Sequence, residues 1–266
     1  MFKVSNIDNQ AIYINDKFLS GVQSLSLNYE TNITPQINIS DTGLNYNITK
    51  PIVAEMSLDY YLSDNDIFIN YTGNSFFSGK IEYADKYLTF TSGFISNYSL
   101  EYTIDQPVLA SVNATLYGYN SNSTGYKVNV TKNINFQPTN YYADINYNLV
   151  DSNRLEKFSI NITTDRLPNY EIGKFLPEYV SVKYPIKIDT SFIFSISEYM
   201  PYNPTDLFNN LITENAKINF KNYYTSENIL SFNLANLIKN NENLNFDVNS
   251  DGKLKINLST YILSGG

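Results

Sequence analysis

The chain has 266 residues, 18 basic against 26 acidic for a net charge of −8, and it contains no cysteine and no histidine. That set excludes disulfides, thiolate metal sites, cysteine nucleophiles and any single-chain centre that depends on an imidazole, and it places a repulsive mean field in front of a phosphate backbone. Its 24 Tyr and 16 Phe, with abundant Ile, Val and Thr, suit a pleated, half-buried surface, and the length suits one large β domain or two smaller ones.

The opening run, Met1-Phe2-Lys3-Val4-Ser5-Asn6-Ile7-Asp8, lacks the apolar core of a secretory signal, and no later stretch approaches the ~20 apolar residues of a membrane span. The expectation is a protein made and folded in a cytoplasm, with no membrane partner. Glycosylation-like triplets such as Asn32-Ile33-Thr34 and Asn113-Ala114-Thr115 fall within strand-like runs and follow from the Asn-rich composition.

Period-two alternation predicts strands along most of the chain. Residues 11–19 open the series. Val22, Leu25, Leu27 and Tyr29 follow the turn at Ser20-Gly21, and Met56, Leu58, Tyr60 and Leu62 follow Pro51. Further strands are predicted over 66–72, 79–83, 87–91, 94–104 and 108–119, separated by Asp, Asn, Gly and Ser clusters. Segment 128–150 reads as a weaker continuation or a connection. After Pro204, Leu207, Phe208, Leu211 and Ile212 share one helical face, with Thr205 as cap and Asp206 in the first turn, which predicts one short helix.

An internal repeat organises these elements. Pro51-Ile52 is matched by Pro185-Ile186 at a spacing of 134 (185 − 51), and at the same offset Ser57-Leu58 meets Ser191-Phe192, and Tyr60 meets Phe194. Thr91-Ser92 then meets Thr225-Ser226, Ile95 meets Ile229, Tyr98 meets Phe232 and Leu100 meets Leu234. The burial phase is kept at each strand, which chance alignment would lose about half the time. The predicted fold class is all-β, with two tandem sandwich- or barrel-like domains, 1–150 and 151–266, divided at the polar break Asp151-Ser152-Asn153-Arg154, and at most one or two short helices.

No catalytic residue and no cofactor site is identified, and no Gly-rich phosphate loop is present. Paired carboxylates for glycoside cleavage meet only in the fold, so spacing leaves them open as the last-ranked reading. The metal candidate is Asp247, Asn249 and Asp251, which stand at the first, third and fifth positions of a calcium-type loop with Gly252 at the sixth. The twelfth position is Leu258 rather than Glu, and the alternation of Leu244, Phe246 and Val248 with Leu254, Ile256 and Leu258 reads as a β-hairpin reversing at Ser250-Asp251-Gly252. The pairs Tyr60-Tyr61, Tyr141-Tyr142 and Tyr223-Tyr224 offer stacking surfaces, but neighbours in a strand face opposite ways, so each is expected to give one core ring and one surface ring.

The run from Leu88-Thr89-Phe90-Thr91-Ser92-Gly93-Phe94 to Tyr98-Ser99-Leu100-Glu101-Tyr102, then Asp105-Gln106-Pro107-Val108 and the strand to Tyr117, resembles tail tube and tube-like virion proteins of bacteriophages. Ser20-Gly21-Val22-Gln23-Ser24-Leu25-Ser26-Leu27 is similar to that family's opening strand. The second half departs from the pattern, with Glu227 at the place of Gly93 and Asn241 at that of Pro107. The resemblance implies β-sandwich units, often with a small helix, whose subunits join edge to edge around a channel that DNA traverses without specific binding. It implies a homo-oligomeric ring of three or six chains, other phage tail proteins as partners, and a place in the virion after assembly in the host cytoplasm. The rival expectation is a tandem β-sandwich adhesin or carbohydrate-binding protein.

Overall fold

The structure, a computed structural model, describes residues 2–3, 10–30, 33–37, 44–48, 53–62, 66–83, 86–118, 120–123, 141–147, 155–196, 214–223, 225–247 and 250–263. Alternating apolar and polar residues make nearly all of these residues strand. In chain order the strands are β1 (Phe2–Lys3), β2 (Gln10–Ile14), β3 (Lys17–Phe18), β4 (Val22–Glu30), β5 (Ile33–Ile37), β6 (Leu44–Ile48), β7 (Val53–Tyr61), β8 (Phe77–Tyr83) and β9 (Lys86–Thr103). They continue with β10 (Leu109–Tyr117), β11 (Asn120–Ser123), β12 (Tyr141–Tyr147), β13 (Leu155–Asn169), β14 (Tyr179–Ile196), β15 (Glu214–Asn222), β16 (Asn228–Asp247) and β17 (Ser250–Ile262). The fold class is all-β and antiparallel; among the described residues the helical content is a 3₁₀ turn at Phe68–Tyr71.

One strand order occurs twice. The first set runs β2-β8-β9-β10-β7-β4 and the second β12-β15-β16-β17-β14-β13, which is the same arrangement when each set is numbered along the chain. Irregularities recur with it. β4 skips a residue between Val22 and Ser24 against β7, and β13 skips one between Leu155 and Lys157 against β14. The β8–β9 bulge at Phe77/Gly79 has its counterpart at Glu214/Ala216 in β15–β16. In β9, Ser96 is the extra residue against β10, and in β16, Asn240 is the extra residue against β17. The two sets are joined by direct pairing of β9 with β13, from Lys157↔Thr103 to Thr163↔Asn97.

The buried faces merge accordingly. Tyr102 of β9 meets Phe220 of β15 at a ring separation of 5.7 Å. Phe158 of β13, fully buried, touches the rings of Phe192 (5.2 Å), Phe220 (5.8 Å) and Phe232 (6.5 Å). This places β13 at the seam of one continuous core.

Several local expectations change. Residues 66–72 form no strand: the chain turns through the 3₁₀ turn Phe68–Tyr71, whose first backbone N–H, that of Phe68, is taken by Asp66 Oδ1. Segment 11–19 is a hairpin, β2 and β3, reversed by Asn15 and Asp16, both at positive φ (47° and 63°), the conformation a tight hairpin turn needs. Segments 87–91 and 94–104 are one strand, β9: Gly93 does not interrupt it but admits the Phe77 ring, and an added Cβ there would sit 2.6 Å from Phe77 Cζ. Part of 128–150 is strand β12, and the predicted helix at 205–212 lies outside the described residues. The gapless offset of 134 holds for β7 and β14 (192 − 58) but grows to 144 for β9 and β16 (244 − 100), so Thr91-Ser92 is mid-strand whereas Thr225-Ser226 lies in the β15–β16 turn.

Phe158→Ala is expected to lower the unfolding free energy by about 3–5 kcal/mol through the cavity it opens at the seam. Phe175→Ala, at an exposed position, should stay within about 0.5 kcal/mol of the parent. Urea titrations of the two variants check the contrast.

Candidate functional site

The segment between β7 and β8 carries the most unusual side-chain arrangement among the described residues. Asp66 is buried, and its Oδ1 accepts hydrogen bonds from the Tyr60 hydroxyl (2.7 Å) and the Phe68 backbone N–H (2.8 Å). Its Oδ2 accepts from the Tyr98 hydroxyl at 2.5 Å. Tyr60 comes from β7 and Tyr98 from β9, both at inward positions of their strands. Burial pushes the Asp66 carboxyl above its ordinary range, and the tyrosine and backbone donors pull in the opposite direction. Burial first, and the neighbouring carboxylate second, push Tyr60 and Tyr98 well above the usual phenol value, so both remain protonated donors at neutral pH.

A cavity of about 400 Å³ opens beside this centre, lined among others by Lys17, Phe18, Tyr60, Asp66, Asn70 and Tyr71. Asp66 is the one carboxylate among its described lining residues, so those residues present no carboxylate pair of the glycosidase kind. A second cleft of about 410 Å³ carries Asp16 and Glu82, the latter ion-paired with Lys80.

The far end of the segment is held from the second strand set. Arg166 of β13 donates from Nε to Ile95 O (2.8 Å), from Nη1 to Gly73 O (2.7 Å) and from Nη2 to Tyr71 O (3.2 Å). Its guanidinium also lies 5.8 Å from the centre of the Phe94 ring, and Thr164 Oγ1 donates to Thr72 O at 2.9 Å. Burial lowers the guanidinium pKa to about 10, which still leaves it charged at neutral pH. Asp66 and Arg166 therefore fix the two ends of one connection, with the cavity opening beside it.

Beyond Thr163 the β13–β14 ladder shifts register and runs on as an arm, from Asp165↔Lys183 to Asn169↔Tyr179. The arm exposes Leu167, Tyr170, Ile172, Phe175, Leu176 and Tyr179, with Ile172 wholly in solvent. The β5–β6 hairpin occupies the corresponding place between β4 and β7.

The sequence-derived candidates are placed as follows. Asn249 and the side chains of Asp247 and Asp251 lie outside the described residues. The flanking strands β16 and β17 pair antiparallel as far as Asp247↔Ser250, and Ser250-Asp251-Gly252 belong to β17 rather than to a reversal. Tyr60 is a core ring and Tyr61 a half-buried one beside the cavity, as the alternation requires. Tyr142 and the exposed Tyr223 meet edge to face at 6.4 Å; Tyr224 and the Tyr141 side chain lie outside the described residues. Asp66 and the arm escaped sequence reading. An Asp two residues before Phe68 is the signature of a local side-chain-to-backbone turn, and Pro168, Gly173 and Pro177 mark out the arm. Compared with known protein families and with curated proteins, the sequence matches none.

Asp66→Ala should strand two buried phenol hydroxyls and a backbone N–H, at about 1–3 kcal/mol each, whereas Asp66→Asn should retain most of the network. Because the folded carboxyl titrates above its ordinary value of 3.8, Asp66 favours folding most below that pH and loses this contribution as pH rises through the folded value. The stability difference between the parent and Asp66→Asn, read from urea midpoints, should therefore shift against the parent as pH rises above 3.8. Calcium added in millimolar amounts should leave the melting temperature unchanged, since a hairpin at Asp247 lacking the twelfth-position Glu offers no complete ligand set.

Proposed function

We propose that this chain is a structural protein of a bacteriophage tail, a tail tube or baseplate-hub-like component, built from two copies of one tube-type unit that assemble into a ring through which DNA passes. The observation that carries this reading is the recurrence of a six-strand order with three recurring bulges, the two sets being joined edge to edge through β9 and β13. A unit that pairs its open edge with a copy of itself inside one chain is suited to pairing with further copies in an assembly. The pairing of β12 with β15 groups it with the second set, which supports a division between the units ahead of the polar break at 151–154.

The net charge of −8 supports a wall that does not grip passing DNA. The apolar arm at 165–179 supports contacts with a neighbouring ring or another tail protein. In this reading the Asp66 and Arg166 centres are structural: they hold the β7–β8 connection rigid beside the seam.

Native mass spectrometry and negative-stain microscopy of the purified full chain test the proposal. The expected result is a ring or short tube of three or six chains; a particle that stays monomeric at high concentration overturns it.

A further inference from the structure

The junction between the two strand sets specifies a second junction that the chain leaves unmade. In the first, β13 lies antiparallel on β9, with Phe158 opposite Tyr102, Ile160 opposite Leu100 and Thr163 opposite Asn97. Asn97 Nδ2 donates to Asn161 Oδ1 across it at 2.8 Å, and Lys157 pairs with Glu101. The counterpart of β13 in the first set is β4, displaced by 133 (158 − 25), and the counterpart of β9 in the second set is β16, displaced by 144 (244 − 100). Among the described residues both counterparts have an edge that is open or nearly so. Residues 241–247 of β16 pair only with β17 among the described residues, and the outer edge of β4 carries only the two-residue β1, at Leu27 and Ser26.

We infer that residues 241–247 of β16 pair antiparallel with residues 24–30 of β4 in a second copy of this chain, in the register of the internal junction and with β1 displaced. This rests on the assembly reading above and adds to it the edge, the partner strand and the register. Carrying the internal register over sets Glu30 opposite Asn241, Leu27 opposite Leu244, Ser26 opposite Asn245, Leu25 opposite Phe246 and Ser24 opposite Asp247. Of the three places where apolar residues face each other inside the chain, Ile160–Leu100 and Phe158–Tyr102 carry over to the apolar pairs Leu27–Leu244 and Leu25–Phe246, and Ile162–Tyr98 carries over to Tyr29 opposite Glu242. A slip of one residue would set Leu25 and Leu27 out of phase with Leu244 and Phe246, so the register is defined. The contact is head to tail, which propagates from copy to copy until a ring closes.

The absence of cysteine makes the test clean. The full chain carrying Ser26→Cys and Asn245→Cys is oxidised and run on a non-reducing gel. Ser159→Cys with Glu101→Cys, the equivalent internal pair, reports whether a disulfide fits this geometry, and Ser26→Cys with Asn243→Cys is the out-of-register control. Amide hydrogen exchange over 24–30 and 241–247 of the parent chain, compared between assembled and dilute samples, reads the same junction without any disulfide.

The expected result is a ladder of covalent multimers for the in-register pair, ending at the ring's copy number, with protection of both segments in the assembled sample. Assemblies that form without the ladder and without that protection overturn the junction while leaving the ring reading standing. A link within one chain also overturns the junction. A protein that stays monomeric with neither signal overturns both.

Discussion

The pairing of β13 with β9 is the constraint on which the rest of the molecule depends. Seven residues, Lys157 to Thr163, occupy an edge of β9 that would otherwise leave its backbone groups to water or to foreign strands. The register of this ladder sets Phe158 beside Tyr102 and Ile160 beside Leu100, so the apolar faces of the two strand sets become one surface. Only then does Phe158 reach Phe220 and Phe232, and only then does Arg166, further along the same strand, arrive within reach of Ile95, Tyr71 and Gly73. Packing and hydrogen bonding at the seam are two results of one choice of register.

Asp66 and Arg166 deal with the loop that this arrangement creates. A connection crossing a buried edge must satisfy its own backbone, and here a carboxylate serves its beginning while a guanidinium serves its end. Taking Asp66 out of water disfavours its charged form, and the converging donors from Tyr60, Tyr98 and the following backbone offset that cost. The two tyrosines are thereby tied to one carboxylate, which links β7 and β9 across the intervening β10. Three carbonyl oxygens and an aromatic face hold Arg166, and among the described residues no carboxylate does.

Strand content and phase were legible in the sequence because Leu25, Leu58, Leu100, Phe192 and Leu254 each sit in an alternating run that one buried face demands. The repeat was legible too, though at a single offset that fits only part of it. β9 and β16 are displaced by ten residues more than β7 and β14, and because ten is even the gapless comparison preserved inside and outside while matching the wrong residues. Asp66 was hidden because Ile67, Phe68 and Ile69 read as strand, whereas a side chain that captures backbone N–H groups turns the chain locally. The arm was hidden for another reason: apolar residues at 167–179 signal burial in any single-chain reading, yet these face solvent.

β16 hydrogen-bonds to β15 up to Leu237 and to β17 from Ile238 onward, with Asn236 at a φ of 55° just before the change. One uninterrupted strand is thus stitched to two partners in series. Tension applied along its length would load both ladders in shear, many cross-strand bonds at once, instead of peeling them apart singly. β9 divides its contacts in the same fashion between β8, up to Gly93, and β10, from Ser92 to Glu101, with β13 on the edge opposite β10. A body threaded by two such strands would resist a pull along them more than one across them, a mechanical grain that follows from connectivity alone.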